Sequence, residues 1–212
     1  MLDAPFCHLQ KILNAAQTIH YIYRSIVYTY LSPSISPIYA PLWLGALAFN
    51  LANGLSIGGW LGGFGPTTKA EWNGSALRVE LGMMIWAVGL FANMWHDDEL
   101  REIRRAAARS QKKRTEGQGE EEKKAGKGVE KVYMIPDNGL FRIVLFPHYL
   151  TEWIEWAGFW LVGGWQCTPA RIFLVNEIST MLPRAVQGKQ WYLERFGKEK
   201  VGSKKAVIPG VI

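Results

Sequence analysis

Apolar and polar positions alternate along the chain in blocks, and the blocks predict helices. Residues 9–31 form a first apolar segment of mixed polarity, with His20, Tyr21, Tyr23, Arg24 and Tyr28 recurring at helical intervals. That pattern suits a helix lining a polar cavity better than one facing lipid. Ser32, Pro33, Ser34, Ser36 and Pro37 then predict a turn. A second segment, residues 38–61, is long enough to cross about 30 Å of hydrocarbon at about 1.5 Å per residue. Its Asn50, Asn53 and Gly54 suit packing against other helices. Gly58, Gly59, Gly62, Gly63 and Gly65 predict a glycine-rich loop closing at Pro66, and a third helix follows over residues 76–95. Residues 133–146 are apolar but contain Pro136, Asn138 and Gly139, so they read as a loop or re-entrant piece. Two further helices are expected over 148–164 and 169–186, joined at Gly163-Gly164. A basic tail with Lys198, Lys200, Lys204 and Lys205 ends the chain.

Composition changes what these helices are for. Half of the 212 residues are hydrophobic (49%) and 20% are charged, with 10 Trp, 8 Tyr and 9 Phe. These values exclude a disordered chain, a collagen and a disulfide mini-protein. Cys7 and Cys167 make no disulfide framework. Mean hydropathy is near zero only because two unlike regions are averaged. Residues 25–68 hold no Asp, Glu, Lys or Arg, whereas residues 101–131 hold 11 basic and 6 acidic residues, a net charge of +5. The reading is an all-α, polytopic membrane protein, one domain over 1–212, with about five transmembrane helices and a disordered charged insertion at 109–131. Basic loops stay cytoplasmic, so 101–131 and the basic tail are expected on that side and residues 62–74 in the lumen. The lumenal loop carries a sequon, Asn73-Gly74-Ser75. Residues 1–8 do not have the layout of a secretory signal.

Three motifs carry candidate chemistry. Asn93, Asp97, Arg101 and Arg104 fall at i, i+4, i+8 and i+11 and share one helical stripe. An amide, a carboxylate and two guanidinium groups suit ribose hydroxyls and phosphates; an amphipathic helix end with snorkelling arginines has the same spacing. Glu152 and Glu155 stand in an otherwise apolar segment, where an ionisable group is costly and points to a functional partner. The alternative is an interfacial position, with Trp153 and Trp156 as belt residues. Arg184, Trp191, Tyr192, Phe196 and Lys204-Lys205 compose a basic, aromatic helix end common at membrane interfaces. His8, His20, His96 and His148 are dispersed without metal-ligand spacing, so no metal is expected. No P-loop, dinucleotide fingerprint or GxSxG elbow is present, which excludes a soluble nucleotide-binding domain or hydrolase of those types.

Taken in order, these pieces resemble the steroid 5α-reductase family, which also includes polyprenol reductases and, more distantly, trans-2-enoyl-CoA reductases. The resemblance runs from about residue 19 to the end, apart from the charged insertion. It rests on His20-Tyr21-x-x-Arg24, Asn53-Gly54, the 93–104 stripe, the Tyr133-to-Phe141 block with Pro136 and Gly139, Glu152-Trp-Ile-Glu155-Trp156, Arg184-Ala185 with Trp191-Tyr192, and Lys204-Lys205-Ala206-Val207-Ile208-Pro209. It implies an endoplasmic reticulum membrane enzyme of about seven helices around an NADPH pocket open to the cytoplasm. The implied reaction reduces a C=C bond conjugated to a carbonyl in a lipid-like substrate, first a 3-oxo-Δ4-steroid or sterol-like compound. Hydride goes to the β-carbon, a donor polarises the carbonyl oxygen, and the enolate is protonated at the α-carbon. By the same resemblance Tyr21 is the catalytic donor. Asn93, Asp97, Arg104, Tyr133, Glu152, Arg184 and Tyr192 bind cofactor, and Arg24, Tyr28, Arg101 and His148 belong to the same pocket. The implied partners are this substrate and membrane lipids, not nucleic acid or an obligate protein.

Three departures qualify what the resemblance implies. The family begins with two further helices and this chain starts after them, so a glutamate that partners the tyrosine is expected to be missing. Gly188-Lys189-Gln190 stands where a histidine usually precedes Trp-Tyr, and residues 31–38 hold none of the arginine that relatives place there. The alternatives are a polyprenol or enoyl-CoA reductase and a truncated, non-catalytic membrane relative. A methyltransferase of the isoprenylcysteine type fits the 133–141 and 152–155 spacing less well.

Overall fold

The apolar segments fold as helices, and several run further than their hydrophobic pattern. The computed structural model describes residues 8–32, 38–66, 76–116 and 133–212. Helix α1 covers His8–Ile22 and continues through a wider π turn at Tyr23–Val27 and a last α turn at Tyr28–Leu31. Helix α2, Ala40–Gly59, starts with Pro41 in its first turn, where the missing N–H costs nothing. Helix α3 is Ala76–Glu116, α4 is Pro147–Gly163, α5 is Thr168–Phe196, and a single turn, α6, is Lys198–Val201. Among the described residues the extended pairing is one parallel bridge, Val144 to Lys205. As expected, residues 133–146 form a loop, with a short 3-10 turn at Gly139–Arg142.

Two expectations are corrected here. The glycine-rich stretch is helical: α2 passes into a π turn at Trp60–Phe64, and the chain leaves it only where Gly63 takes φ 143°. In an apolar surrounding an unpaired backbone group costs several kcal/mol, roughly, which outweighs the entropic cost of glycine in a helix. Helix α3 does not stop near residue 95 but enters the charged run, so residues 109–116, expected within the disordered insertion, are helical. Its alanine, arginine and lysine residues are strong helix formers. Arg101–Asp98 at 2.6 Å and Arg105–Glu102 at 2.5 Å, both i,i+3, stitch the extension. Residues 117–131 of the insertion, the turn at 33–37 and the sequon lie outside the described residues.

Helices α3 and α4 approach closely because glycines line their crossing. A Cβ on Gly89 would run into the backbone of Glu155, and one on Gly158 into that of Trp86. The core around this crossing contains Leu13, Ile57, Leu61, Trp86, Trp156 and Phe159. Trp156 is fully buried and meets Phe173 and Phe159 edge to face at 4.4 and 5.4 Å. Two helical stretches, Ala40–Phe64 and Ala76–Ser110, are long and apolar enough to cross a membrane, and most of their apolar surface points outward. On α2 the exposed residues include Leu42, Trp43, Leu44, Leu51 and Leu55.

The basic tail is tucked in. Lys205 and Ala206 pair with the loop, Leu145 N donating to Lys205 O at 2.8 Å and Phe146 N to Ala206 O at 2.9 Å. Lys204 Nζ donates to the Phe141 carbonyl and to Asp137 Oδ1, each at 2.6 Å. Replacing Lys204 by Met removes the charged hydrogen bond to the carbonyl of buried Phe141 and should lower stability by about 1.5–3 kcal/mol, read by denaturation in detergent. The hydrogen bond from the Lys204 ammonium holds the Asp137 carboxyl below its ordinary range. A depressed carboxyl stabilises fully above its unfolded pKa, so the Asp137 contribution should fade only as pH falls through that lowered value. Lys204→Met should abolish this acid-side dependence.

Candidate functional site

Three helices bring polar stripes together. Arg24 sits in the π turn of α1, a widened turn of the kind often found at functional positions. Its Nη1 donates to Asp97 Oδ2 on α3 at 2.8 Å, and its Nη2 donates to Glu152 Oε2 on α4. The Asp97 and Glu152 side chains are only 4% and 8% exposed, so one guanidinium separates two buried carboxylates. Asn93 Nδ2 donates to the His148 carbonyl at 2.7 Å and lies 3.5 Å from Glu152 Oε2. Tyr28, one turn beyond Arg24, has the guanidinium groups of Arg24 and Arg101 at 5.8 and 5.7 Å from its ring. The structure therefore gathers Arg24, Tyr28, Asn93, Asp97, Arg101, His148 and Glu152 in one cluster.

The cluster is incompletely satisfied. Arg101 bonds Asp98 through Nη1, while its Nε and Nη2 are buried without a hydrogen-bond partner among the described residues. Asn93 Oδ1 and His148 Nδ1 share that condition. Buried polar atoms without partners are rare, and this concentration has the character of a site that a polar ligand completes. Arg104 and Arg184 are exposed, and their charges act on His148 together with that of Arg24. Tyr192 reaches the cluster through Phe146, which lies 6.2 Å from Tyr192 and 6.0 Å from His148, ring centre to ring centre. Tyr133 is placed differently: it is 45% exposed and packs on Trp191 at 5.2 Å and under the Arg195 guanidinium at 4.3 Å.

Tyr21 faces α2. Its hydroxyl accepts from Asn53 Nδ2 at 3.2 Å and donates to Asn50 Oδ1 at 3.4 Å. It lines a cavity of about 430 Å³ with Asn14, Gln17, Thr18, Ile22 and Gly54. The 3.4 Å contact is long for O–H···O, so an oxygen arriving at an ordinary 2.7–2.8 Å (roughly) would compete well for this proton. Within this chain two amides hold the tyrosine, whose family glutamate partner was expected to be missing. From the sequence, Asn50 read as helix packing and Asn53 as packing and part of the Asn53-Gly54 block, neither as a partner of Tyr21.

A second buried pair was not singled out from the sequence. His20 Nδ1 lies 2.7 Å from Glu155 Oε1, with side chains 5% and 0% exposed. His20 stands four residues before Arg24 and Glu155 three after Glu152, so the two pairs stack along the α1–α4 contact like rungs. That matched spacing is the signal that could have found it. Gly188, in the stretch 188–190 where relatives usually carry a histidine, packs on the Phe146 ring, and even a Cβ there would collide with it.

The 3-oxo-5-alpha-steroid 4-dehydrogenase family profile matches residues 120–212. The chain is similar to an uncharacterized protein of Schizosaccharomyces pombe, 34% identical over 201 residues that take in 94% of this chain and 67% of the relative. It is similar to a steroid 5-alpha-reductase of Arabidopsis thaliana, 31% identical over 206 residues, 94% of this chain and 69% of the relative. It is also similar to 3-oxo-5-alpha-steroid 4-dehydrogenase 1 of Rattus norvegicus, 29% identical over 202 residues, 95% of this chain and 68% of the relative.

Proposed function

We propose an activity for this chain on one established premise: it belongs to the steroid 5-alpha-reductase family. The activity is NADPH-dependent reduction of the C=C bond of an α,β-unsaturated carbonyl lipid, a 3-oxo-Δ4-steroid or sterol-like compound, by a multi-pass protein of the endoplasmic reticulum membrane. The observation that carries this reading is Tyr21, a phenol held by two amides in the wall of a cavity of about 430 Å³.

When bound, the nicotinamide supplies the hydride. The chain's residues do the rest. Tyr21 donates to the substrate carbonyl oxygen and stabilises the negative charge that develops there. Asn53 donates to the Tyr21 oxygen, fixing its position and leaving the phenol proton to point at the substrate. Asn93 and His148 offer buried amide and imidazole atoms that suit a carboxamide, and the partnerless N–H groups of Arg101 suit an anionic phosphate. Arg104 and Arg184 add exposed positive charge beside them. Arg24 holds Asp97 and Glu152 in place and so positions the floor of the site. Tyr133, with Trp191 and Arg195, offers an aromatic surface at the rim.

The test is turnover of a 3-oxo-Δ4-steroid by the purified chain in lipid nanodiscs with NADPH, set beside a polyprenal and a trans-2-enoyl-CoA. A saturated steroid product supports the reading; reduction of one of the other two moves the substrate class. NADPH binding without turnover of any of the three makes the chain a non-catalytic relative. Two further outcomes are expected. Arg104→Ala should weaken NADPH by about 1.5–3 kcal/mol and NADH much less, since the 2′-phosphate adds charge for a guanidinium to pair. Equal affinity of the unmutated chain for both cofactors would remove this assignment. Protease added to the cytosolic side of sealed microsomes should cut within 101–131, whereas cleavage near Lys69 would invert the topology.

A further inference from the structure

The end of the bundle remote from the Arg24 network holds a cavity of another character. It measures about 460 Å³, lies between α3 and α4, and has apolar walls formed by Ile85, Ala157, Trp160 and Leu161. Arg78, Gly164 and Trp165 complete the lining. The Arg78 guanidinium rests on the turn between α4 and α5: a Cβ added to Gly164, whose φ is 81°, would stand 3.2 Å from Arg78 Nη1. Arg171 brings a second guanidinium to this rim, 5.8 Å above the Trp165 ring. Trp160 and Trp165 lie 5.1 Å apart, ring to ring. The Trp160 indole N–H is buried and has no acceptor among the described residues.

The position along α3 gives this cavity its level. Arg78 precedes Arg101 by 23 residues on one continuous helix, about 35 Å at 1.5 Å per residue. That is close to the thickness of a hydrocarbon core plus part of one headgroup layer, roughly 30 to 40 Å. With Arg101 at one face of a bilayer, Arg78 and the two tryptophans stand at headgroup level on the other, where tryptophan is favoured. Glu80 is two residues further along the helix and so does not share the Arg78 face.

We propose that this cavity is a binding site for an anionic phospholipid of the bilayer. Arg78 and the Trp160 N–H hold the phosphate, Arg171 adds positive charge at the rim, and an acyl chain lies along Ile85, Ala157 and Leu161. Guanidinium groups recognise phosphate oxygens through paired hydrogen bonds. The net negative charge of the headgroup separates this lipid from a zwitterionic one, and the apolar walls separate it from free phosphate.

Native mass spectrometry of the detergent-purified chain tests this with dioleoyl phosphatidylglycerol, dioleoyl phosphatidylcholine and inorganic phosphate as probes. One phosphatidylglycerol per chain should be retained about tenfold more tightly than phosphatidylcholine, and phosphate alone should not be retained. Arg78→Gln should erase the difference between the two lipids. Trp160→Phe keeps an aromatic side chain and removes the indole N–H, so it tests the site even if Arg78→Gln does not fold; it should weaken phosphatidylglycerol severalfold. Arg109→Gln, at the far end of α3, should leave retention unchanged. Equal retention of both lipids, selectivity that survives in folded Arg78→Gln or in Trp160→Phe, or an equal loss in Arg109→Gln overturns the proposal. Retention of phosphate alone overturns it too, because the site would then be one for a free anion.

Discussion

Replacing Arg24 by glutamine should lower the melting temperature of the chain by on the order of 10 °C, the largest effect expected of any single change in the Arg24 network. The reason is the company Arg24 keeps. Its two terminal nitrogens bind carboxylates from two other helices, and those side chains are almost wholly buried. Removing the shared cation leaves Asp97 and Glu152 desolvated and facing each other. Breaking a buried pair in this way costs about 3–5 kcal/mol, far more than loss of an exposed ion pair. Lysine should restore little of the loss, because a single ammonium cannot reach two carboxylates with the planar geometry of a guanidinium. Adding Asp97→Asn to Arg24→Gln should recover part of the stability, and the double-mutant cycle measures the coupling. Melting of Arg24→Gln in detergent within about 2 °C of the unmutated chain would remove the network from the account of how the three helices are joined.

Much of this network was legible in the sequence, for a physical reason. Helical spacing fixes which residues share a face, so Asn93, Asp97 and Arg101 could be grouped from their intervals on one helix. Charged residues in apolar segments carry a cost that marks them, which singled out Glu152. What spacing along one helix cannot give is the partner across the interface. Arg24 binding both Asp97 and Glu152, and His20 binding Glu155, depend on how α1 docks against α3 and α4. The extension of α3 to Glu116 was hidden by a conflict of signals, since its charged composition speaks for a solvated loop and its alanine, arginine and lysine for a helix. The helical Gly58–Phe64 stretch was hidden by a rule drawn from water, where glycine breaks helices more readily than it does among apolar neighbours. Tyr133 entered the candidate site through the family block alone, and its packing on Trp191 and under the Arg195 guanidinium is another contact between elements that spacing along one helix does not give.

The family block containing Tyr21 meets a sharper test in the hydroxyl itself. Tyr21→Phe should reduce turnover by about 10²–10³, or about 2.7–4 kcal/mol, the usual effect of deleting one donor to a developing oxyanion. NADPH binding should change less than about twofold, because the cofactor is assigned to the Asn93, Arg101 and His148 cluster and not to the α1–α2 cavity. Phenylalanine keeps the ring in place, so packing should hold while the contacts to Asn50 and Asn53 disappear. Asn53→Leu gives the complementary result: the phenol remains but loses the donor that aims it. A smaller fall in kcat is then expected, with little change in KM if Asn53 acts through the tyrosine rather than on the substrate. Tyr23 serves as the control, since it lies two residues along the same helix and is 6% exposed, and Tyr23→Phe should leave turnover nearly intact. If Tyr21→Phe and Tyr23→Phe behave alike, Tyr21 is only one more aromatic on α1, and the donor must be sought elsewhere in the cavity wall.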